Sequence, residues 1–393
     1  MFNKSSWKFA IIATFGLRLV LGLTIYVAWS YIRPTAEVVI PLEQEQSLYG
    51  KASVYQTPPL DGLLTAWFRW DAVHYLNIAQ FGYHAHSDGA SVFYPLYPIL
   101  TRLLAILLGE NYLLSALLVS SISCVAYLAG FNFLTVELFG AEIAKWSRLA
   151  ILFYPLTIFL VAPYSESLYL ALTIWMFLAA MKQKWFLAGI LGFASGLTRG
   201  PAMLSSPALL TLLFTQRIKG TRNLATILSW EILSALSPVA GGGLFLLWRY
   251  RQGYPPISQV LSAHGIELSH PIKAIAIAVS QWIRVRDFYT TIDILSAALF
   301  IYLFAIIFFR KKYPFYLQVY YLSNLLLFLS KIHHQASSLQ SISRYVLTLF
   351  PAFWVIGEWL SNQTPLRRFT ILVISFGLLL IFSALYAMWV FIG

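Results

Sequence analysis

The stretch "FAIIATFGLRLVLGLTIYVAWSY", residues 9–31, decides the class of protein. It carries one charge, Arg18, and exceeds the roughly 20 apolar residues that cross the hydrocarbon core of a bilayer. No small-residue cleavage site follows it, so we expect an uncleaved signal anchor rather than a signal peptide. A charge inside such a segment is costly and is usually functional or paired, but the sequence identifies no partner for Arg18.

The rest of the chain has the same character. Of its 393 residues, 59% are hydrophobic and only 11% are charged, against about 25% charged residues in soluble domains. The formal charge of +12 comes from small Lys/Arg clusters between apolar runs, as the positive-inside rule produces, so we expect no nucleic-acid partner. The single Cys, Cys124, allows no disulfide framework. The sequence therefore predicts an all-α, multi-pass integral membrane protein.

The apolar runs predict about 11 transmembrane helices. The segment 93–109 is short, contains two prolines and has Arg102 in its middle. If it crossed the membrane, the next Lys/Arg clusters would invert to the outside, so we interpret it as an outer-face interfacial or re-entrant segment. The predicted spans are then residues 9–31, 113–136, 147–163, 165–181, 185–199, 201–216, 226–248, 291–309, 314–331, 344–360 and 368–391.

This topology places long loops on the outer face, at 32–112 and 249–290, and a shorter one at 331–343. Loops of this length in compact proteins are usually functional or disordered, and the first is too rich in aromatic residues and leucine to be disordered. We expect 1–393 to form one transmembrane domain. Most acidic residues outside the inner loops lie on or near the outer face: Asp61, Asp71, Asp88, Glu166, Asp287 and Asp293.

The stretch "RWDAVHYLNIAQFGY", residues 69–83, contains the first candidate site. We interpret residues 62–83 as one amphipathic juxtamembrane helix lying in the membrane interface. On a helix, Asp71 and His74 share a face, and Tyr75 joins them. A carboxylate in a partly dehydrated cleft can accept a proton from a sugar hydroxyl as a general base. The alternative is a solvated aspartate that bonds to His74, which is the more common role of an arbitrary Asp–His pair.

Three further charged residues are predicted on the same face. Glu166, in "APYSESLY", is either a functional acid or an acid that stabilises the first turn of a helix. Arg199, in "SGLTRGPAM", and Arg344, in "SRYVLTLFPAF", suit a phosphate because a guanidinium forks onto two oxygens. Their alternative role is that of anchors whose charged ends reach the membrane surface.

Other patterns exclude several classes of site. The chain contains no P-loop, GxGxxG or nucleophile elbow, and His333 and His334 lack the further ligands of a metal site, so we interpret them as surface histidines. The "GGG" at 241–243 indicates helix packing or a helix break.

In sequence order, these motifs resemble the PIG-V family of integral-membrane mannosyltransferases, within the GT-C superfamily. The resemblance implies a GT-C-like helical bundle with its active site on the outer or luminal face, built on the first long loop. It also implies a polyprenyl-phosphate sugar donor in place of a sugar nucleotide. The stretches that carry it are "RWDAVHYLNIAQFGY", "VFYPLYP", "FYPLTIFLVAPYSESLYLAL", "SGLTRGPAM" and "SRYVLTLFPAFWVIG".

The resemblance also implies roles for individual residues. Asp71 matches the expected catalytic base, and His74 is the histidine of the same motif. Glu166 matches the acid of the second motif. Arg199 and Arg344 occupy the positions expected to hold the lipid phosphate. We expect the sugar pocket to be lined by aromatic residues of the first loop, namely Trp70, Tyr75 and Tyr94.

The predicted activity is inverting transfer of a hexose, with mannose first, to a hydroxyl of a lipid or glycan acceptor. No cofactor or metal is expected, and no partner subunit is identifiable. The size of the chain and the lack of a retention signal favour a bacterial plasma membrane with an outward-facing site, or the ER membrane in a eukaryote. The alternatives are a transporter or lipid-linked sugar flippase, which would more often show internal repeats or paired broken helices, and a silent homologue acting as a scaffold.

Overall fold

The computed structural model describes residues 4–31, 61–83, 88–219, 230–334, 337–390 and 392, and it confirms an all-α fold. Part of the predicted first loop, 32–60, and the start of the predicted span 226–248 lie outside these ranges. In chain order the helices are α1 (Lys4–Tyr31), α2 (Asp61–Thr65), α3 (Asp71–Phe81), α4 (Leu96–Leu107), α5 (Tyr112–Phe139), α6 (Ala141–Leu152), α7 (Glu166–Met181), α8 (Trp185–Gly196), α9 (Ser205–Lys219), α10 (Trp230–Arg251), α11 (Ile257–Ala263), α12 (Pro271–Val285), α13 (Phe288–Phe309), α14 (Phe315–Leu329), α15 (Ile342–Tyr345), α16 (Pro351–Ser361) and α17 (Pro365–Ala387).

Five of the described helices are long and apolar enough to cross a membrane: α1, α5, α10, α13 and α17. Four more are apolar but shorter, namely α4, α7, α8 and α14. Helix α4 has 12 residues and reaches about 18 Å, which is less than the roughly 30 Å of the hydrocarbon core. Helix α8 has the same length, so the interfacial or re-entrant interpretation of 93–109 stays a prediction.

The chain divides into two compact units. The first contains residues 1–133, 148–171 and 362–392, and the second contains 134–147 and 172–361. Inside the first unit, α1 packs against α17 and α2, and α3 packs against α4. Inside the second, α8 packs against α10, and α9 against α14.

Arg18, the charge inside the first span, has partners in the first unit. Its Nη2 donates to the carbonyl of Leu117 at 3.0 Å and to Ser121 Oγ at 2.7 Å. Its guanidinium also lies 4.7 Å from the ring centroid of Trp67. The charge is therefore paired with a helix carbonyl, a hydroxyl and an aromatic face, which offsets the cost of its burial.

Glycines permit the close packing of α8 on α10. A Cβ atom at Gly196 would lie 2.7 Å from the backbone nitrogen of Gly242 and closer still to the carbonyl of Pro238. Gly192, one turn earlier, faces Ser237 and Pro238 in the same way. This spacing of small residues lets two helix backbones approach directly. The expectation that 241–243 marks helix packing is therefore confirmed.

Replacing Gly196 by alanine is expected to destabilise the second unit by about 1–3 kcal/mol, because the backbones must separate to admit the methyl group. Thermal unfolding of the purified protein in detergent measures the change. The matched control is Gly243→Ala, because a Cβ there meets nothing within 4 Å, and alanine in a helix is favoured over glycine by about 0.5–1 kcal/mol. An equal response of both variants would contradict the packing role.

The predicted outer loops 249–290 and 331–343 are more structured than expected. The first contains α11, α12 and strand β1 (Ile266–Leu268), and the second begins with strand β2 (Lys331–His333). The two strands pair antiparallel, with Leu268 opposite Lys331. At the surface of the sheet, His334 Nε2 lies 3.0 Å from Glu267 Oε2, and this contact, together with Lys273, lowers the pKa of Glu267. The pairing agrees with the prediction that both segments lie on one face.

Three predicted helices are interrupted. Residues 62–83 do not form one amphipathic helix: α2 ends at Thr65, α3 begins at Asp71, and most side chains of α3 are buried. The predicted span 147–163 ends as an α-helix at Leu152 and continues as a turn and a short 3-10 helix, Thr157–Leu160. The predicted span 344–360 is divided into α15, a 3-10 turn and α16. Prolines explain the second and third interruptions, because Pro155 and Pro351 each lack the N–H that continues a helix.

Candidate active site

Asp71 is the first residue of α3, directly after the non-helical segment 66–70 that separates α2 from α3. We call this segment the break at 66–70. Trp70, before it, has a positive φ of 54°, which is uncommon for a bulky residue. Asp71 itself is half-buried. A carboxylate at a helix N-terminus is stabilised by the partial positive charge of the free N–H groups there. The break therefore places the candidate base at a helix end.

Side chains distant in sequence hold the break at 66–70. Arg69, 4% exposed, donates from Nη1 to the carbonyls of Thr65 and Phe68, at 3.0 and 2.9 Å. Its Nε donates to the carbonyl of Ala387 at 2.9 Å. The carbonyls of the break accept two further bonds, from Tyr164 Oη to Arg69 at 3.0 Å and from Tyr386 Oη to Trp67 at 2.9 Å. The carbonyls of Trp67, Phe68 and Arg69 are thereby satisfied inside the protein.

The other residues of the first motif pack around aromatic rings. His74 stacks on Phe93, with ring centroids 4.8 Å apart and an interplanar angle of 22°. Tyr75, buried, packs edge to face with Phe93 and with Tyr97, and the ring centroids are 5.0 Å apart in each pair. Trp70 contacts Trp389 edge to face at 5.6 Å. Aromatic rings therefore pack against both His74 and Tyr75.

One hydrogen bond links the first motif to the second. Tyr75 Oη and Ser165 Oγ are 2.6 Å apart and both buried. Ser165 directly precedes Glu166, which begins α7 and is fully buried. The expected first-turn position of Glu166 is therefore confirmed, and it does not exclude a functional role. Tyr94, the remaining aromatic residue proposed for the sugar pocket, is 7% exposed. In the sequence it lies between the first motif and α4.

Arg199 and Arg344, both in the second unit, meet at one tyrosine. Arg199 follows the glycine-packed end of α8 and precedes the short 3-10 helix Gly200–Leu204. Its guanidinium lies 6.0 Å from the ring centroid of Tyr345, and that of Arg344 lies 5.9 Å from it. Arg344 is 4% exposed, which disagrees with a surface anchor. The two arginines predicted to share a phosphate are thus close to the same ring.

A third cation, Lys331, joins this cluster and was missed from the sequence. Its ammonium lies 4.1 Å from the Tyr345 centroid, and the opposing residue of the sheet, Leu268, fixes its position in β2. Tyr345 itself stacks on Phe328, with centroids 5.5 Å apart. We call Lys331, Arg199, Arg344 and Tyr345 the cation cluster. The sequence offered one signal for the two missed residues: Tyr345 directly follows Arg344, which was already a candidate phosphate ligand.

Within the described ranges, no group of three or more His, Cys, Asp or Glu residues could hold a metal ion. Partial burial, with His334 and His264 nearby, lowers the pKa of His333.

The comparisons with known proteins identify one family. The family model described as Mannosyltransferase (PIG-V) matches residues 17–212, about half of the chain. The matched range contains the first motif, Glu166 and Arg199. No curated protein and no solved structure matches the chain.

Proposed function

Because the chain belongs to the PIG-V family of mannosyltransferases, we propose that it transfers a hexose, with mannose first, from a polyprenyl phosphate to a hydroxyl group. The acceptor is a lipid or a glycan at the outer or luminal face of the membrane. The family makes the protein a glycosyltransferase of the membrane, while the donor and the residue roles belong to this proposal.

The proposed reaction is a single inverting displacement. A bond forms between the acceptor oxygen and the anomeric carbon while the bond from that carbon to the phosphate oxygen breaks. The hydroxyl proton goes to Asp71 as general base. The electron pair of the broken bond stays on the lipid phosphate, whose charge Arg199 and Arg344 stabilise. His74 orients Asp71 or contacts the donor, and Trp70, Tyr75, Tyr94 and Glu166 bind the sugar.

The hydrogen bond between Tyr75 and Ser165 carries this proposal. It holds together the helices that begin at Asp71 and Glu166, the two acidic positions of the family resemblance. Buried hydroxyl pairs of this kind fix their helices because an unpaired hydroxyl in an apolar interior is costly. Two carboxylates at two helix N-termini, beside stacked aromatic rings, suit a hydroxyl-rich sugar and the loss of a proton.

The remaining features of the proposal follow the expected topology. It keeps about 11 spans, an outward-facing site, a bacterial plasma membrane or an ER membrane, and no obligatory metal. The pairing of β1 with β2 supports a common side for 249–290 and 331–343. A partner subunit stays unassigned.

The test is a transfer assay with the purified protein in liposomes that contain a lipid extract of the host. Radiolabelled polyprenyl-phosphate mannose and polyprenyl-phosphate glucose are supplied separately, and a sugar nucleotide is supplied in a third reaction. We expect label in a new product from one of the lipid donors. Label that crosses the bilayer without entering a new product would identify a flippase. Transfer from the sugar nucleotide alone would contradict the proposed donor.

A further inference from the structure

We infer that Lys331 is a third phosphate-binding residue, which acts on the charge that develops on the lipid phosphate as the sugar leaves. This inference rests on the proposed function. It adds a residue from strand β2, in a part of the chain beyond the range that the family model matches. It also predicts that Lys331 contributes more to binding of the released lipid phosphate than to binding of the donor.

The geometry places three cations around one ring. The charges of Lys331, Arg199 and Arg344 lie 4.1, 6.0 and 5.9 Å from the Tyr345 centroid. No two of them can therefore be more than about 12 Å apart, the sum of the two longer distances. The inference requires that a phosphate beside Tyr345 lies within reach of all three charges. Tyr345 itself is held by its stacking on Phe328.

The charge of the substrate changes during the reaction in the way this cluster suits. A polyprenyl-phosphate sugar is a phosphodiester with one negative charge. The released polyprenyl phosphate is a monoester, and such groups carry about −1.5 to −2 charges at pH 7. The additional charge appears as the bond from the anomeric carbon to the phosphate oxygen breaks. A cation beyond those that bind the diester lowers the barrier because its interaction strengthens in the transition state.

Neighbouring strands fix the backbone of Lys331, and the contact with Tyr345 positions its ammonium. Lys331 pairs with Leu268 in the sheet, and the preceding residue, Ser330, accepts a hydrogen bond from Ser269 N at 2.7 Å. On the other side, His334 N donates to the carbonyl of Gly265 at 2.9 Å. Segment 265–269 thus holds Lys331 in place. A charge held before the reaction begins costs no reorganisation when the transition state forms.

The alternative is a purely structural role for Lys331. It follows the C-terminus of α14, where any cation is favourable. That role predicts lower thermal stability for Lys331→Met and no selective change in phosphate binding. The experiment therefore measures both stability and binding.

The experiment uses the full chain in nanodiscs of zwitterionic lipid. Direct binding of polyprenyl monophosphate is measured for the wild type, Lys331→Met and Lys331→Arg, at pH 5 and pH 8. We expect Lys331→Met to weaken binding at pH 8 by about tenfold. The expected loss at pH 5 is smaller, because the monoester then carries its second proton, whose pKa is near 6. Lys331→Arg should retain most of the affinity. In transfer assays, kcat should fall more than the KM for the donor rises.

The matched control is Lys273→Met, which removes a surface lysine that pairs with Glu267 and should bind like the wild type. Equal binding by Lys331→Met and the wild type would overturn the inference, as would an equal loss at both pH values. Binding that depends on Lys331, with no transfer from any lipid donor, would support the phosphate site and contradict the proposed function. Transfer from a lipid donor without any effect of Lys331→Met would do the reverse.

Discussion

Replacing Asp71 by asparagine is expected to lower the rate of sugar transfer by about 10²- to 10⁴-fold, the usual contribution of a general base. The amide has the shape of the carboxylate but cannot accept the proton of the acceptor hydroxyl. The N-cap of α3 is Trp70, so the substitution leaves the capping position unchanged and α3 should form as before. Initial rates at saturating donor, with thermal unfolding measured on the same preparation, separate chemistry from folding.

A second aspartate at the start of a helix provides the control for Asp71→Asn. Asp287 caps α13 through a bond from Thr290 N to its Oδ1 at 2.9 Å, and that bond lowers the pKa of Asp287 although partial burial opposes it. Asp287→Asn should keep the cap and full transfer activity. Transfer at the wild-type rate by Asp71→Asn would remove Asp71 from the chemistry. An equal loss in both variants would indicate a general effect of such substitutions.

Arg69→Met is expected to destabilise the protein by more than about 3 kcal/mol. The substitution removes a buried guanidinium and leaves the backbone carbonyls that accept its hydrogen bonds without a donor. Arg69 donates to three backbone carbonyls and lies 4.5 and 4.9 Å from the ring centroids of Trp29 and Trp389. Lysine cannot reproduce a planar group that bonds in several directions and stacks on rings. Arg69→Lys should therefore recover only part of the loss. Unfolding in detergent is the measurement.

Arg102→Met is the comparison for Arg69→Met, because Arg102 is an exposed arginine on α4 in the same unit. It is expected to change the free energy of unfolding by less than about 0.5 kcal/mol, as surface substitutions do. A similar small change for Arg69→Met would show that the break at 66–70 holds without its guanidinium. If Arg69→Met folds with reduced activity, the loss should appear mainly in kcat, since Asp71 would be displaced from its position.

The sequence was sufficient for the class of fold and for the order of the motifs. Long apolar runs predict membrane helices because the bilayer requires them, and five described helices meet that requirement. The resemblance to the PIG-V family is confirmed by the family model. The first-turn position of Glu166 followed from local helix chemistry, and the packing at 241–243 followed from glycine spacing.

The break at 66–70 could not be predicted in the same way. Apolar residues continue across it at helical spacing, and no Gly or Pro marks it. It is held by bonds to residues far along the chain, such as that from Arg69 to Ala387. Tyr345 and Lys331 were missed for the same reason, because Arg199 reaches that ring from a distant segment. Single-sequence patterns report local periodicity, and these contacts depend on tertiary structure.

The shortness of several apolar helices has a consequence for the surrounding lipid. Helices α8 and α14 have 12 and 15 residues, so they reach about 18 and 22 Å, well short of a hydrocarbon core of roughly 30 Å. If both helices span the membrane, as the sequence predicts, this hydrophobic mismatch would be relieved by thinning of the bilayer beside the protein. Thinning would bring phospholipid headgroups closer to the C-terminal ends of these helices, which Arg199 and Lys331 follow closely in the chain. The acyl-chain length of the host membrane would then help to set how easily a lipid-linked phosphate reaches its ligands.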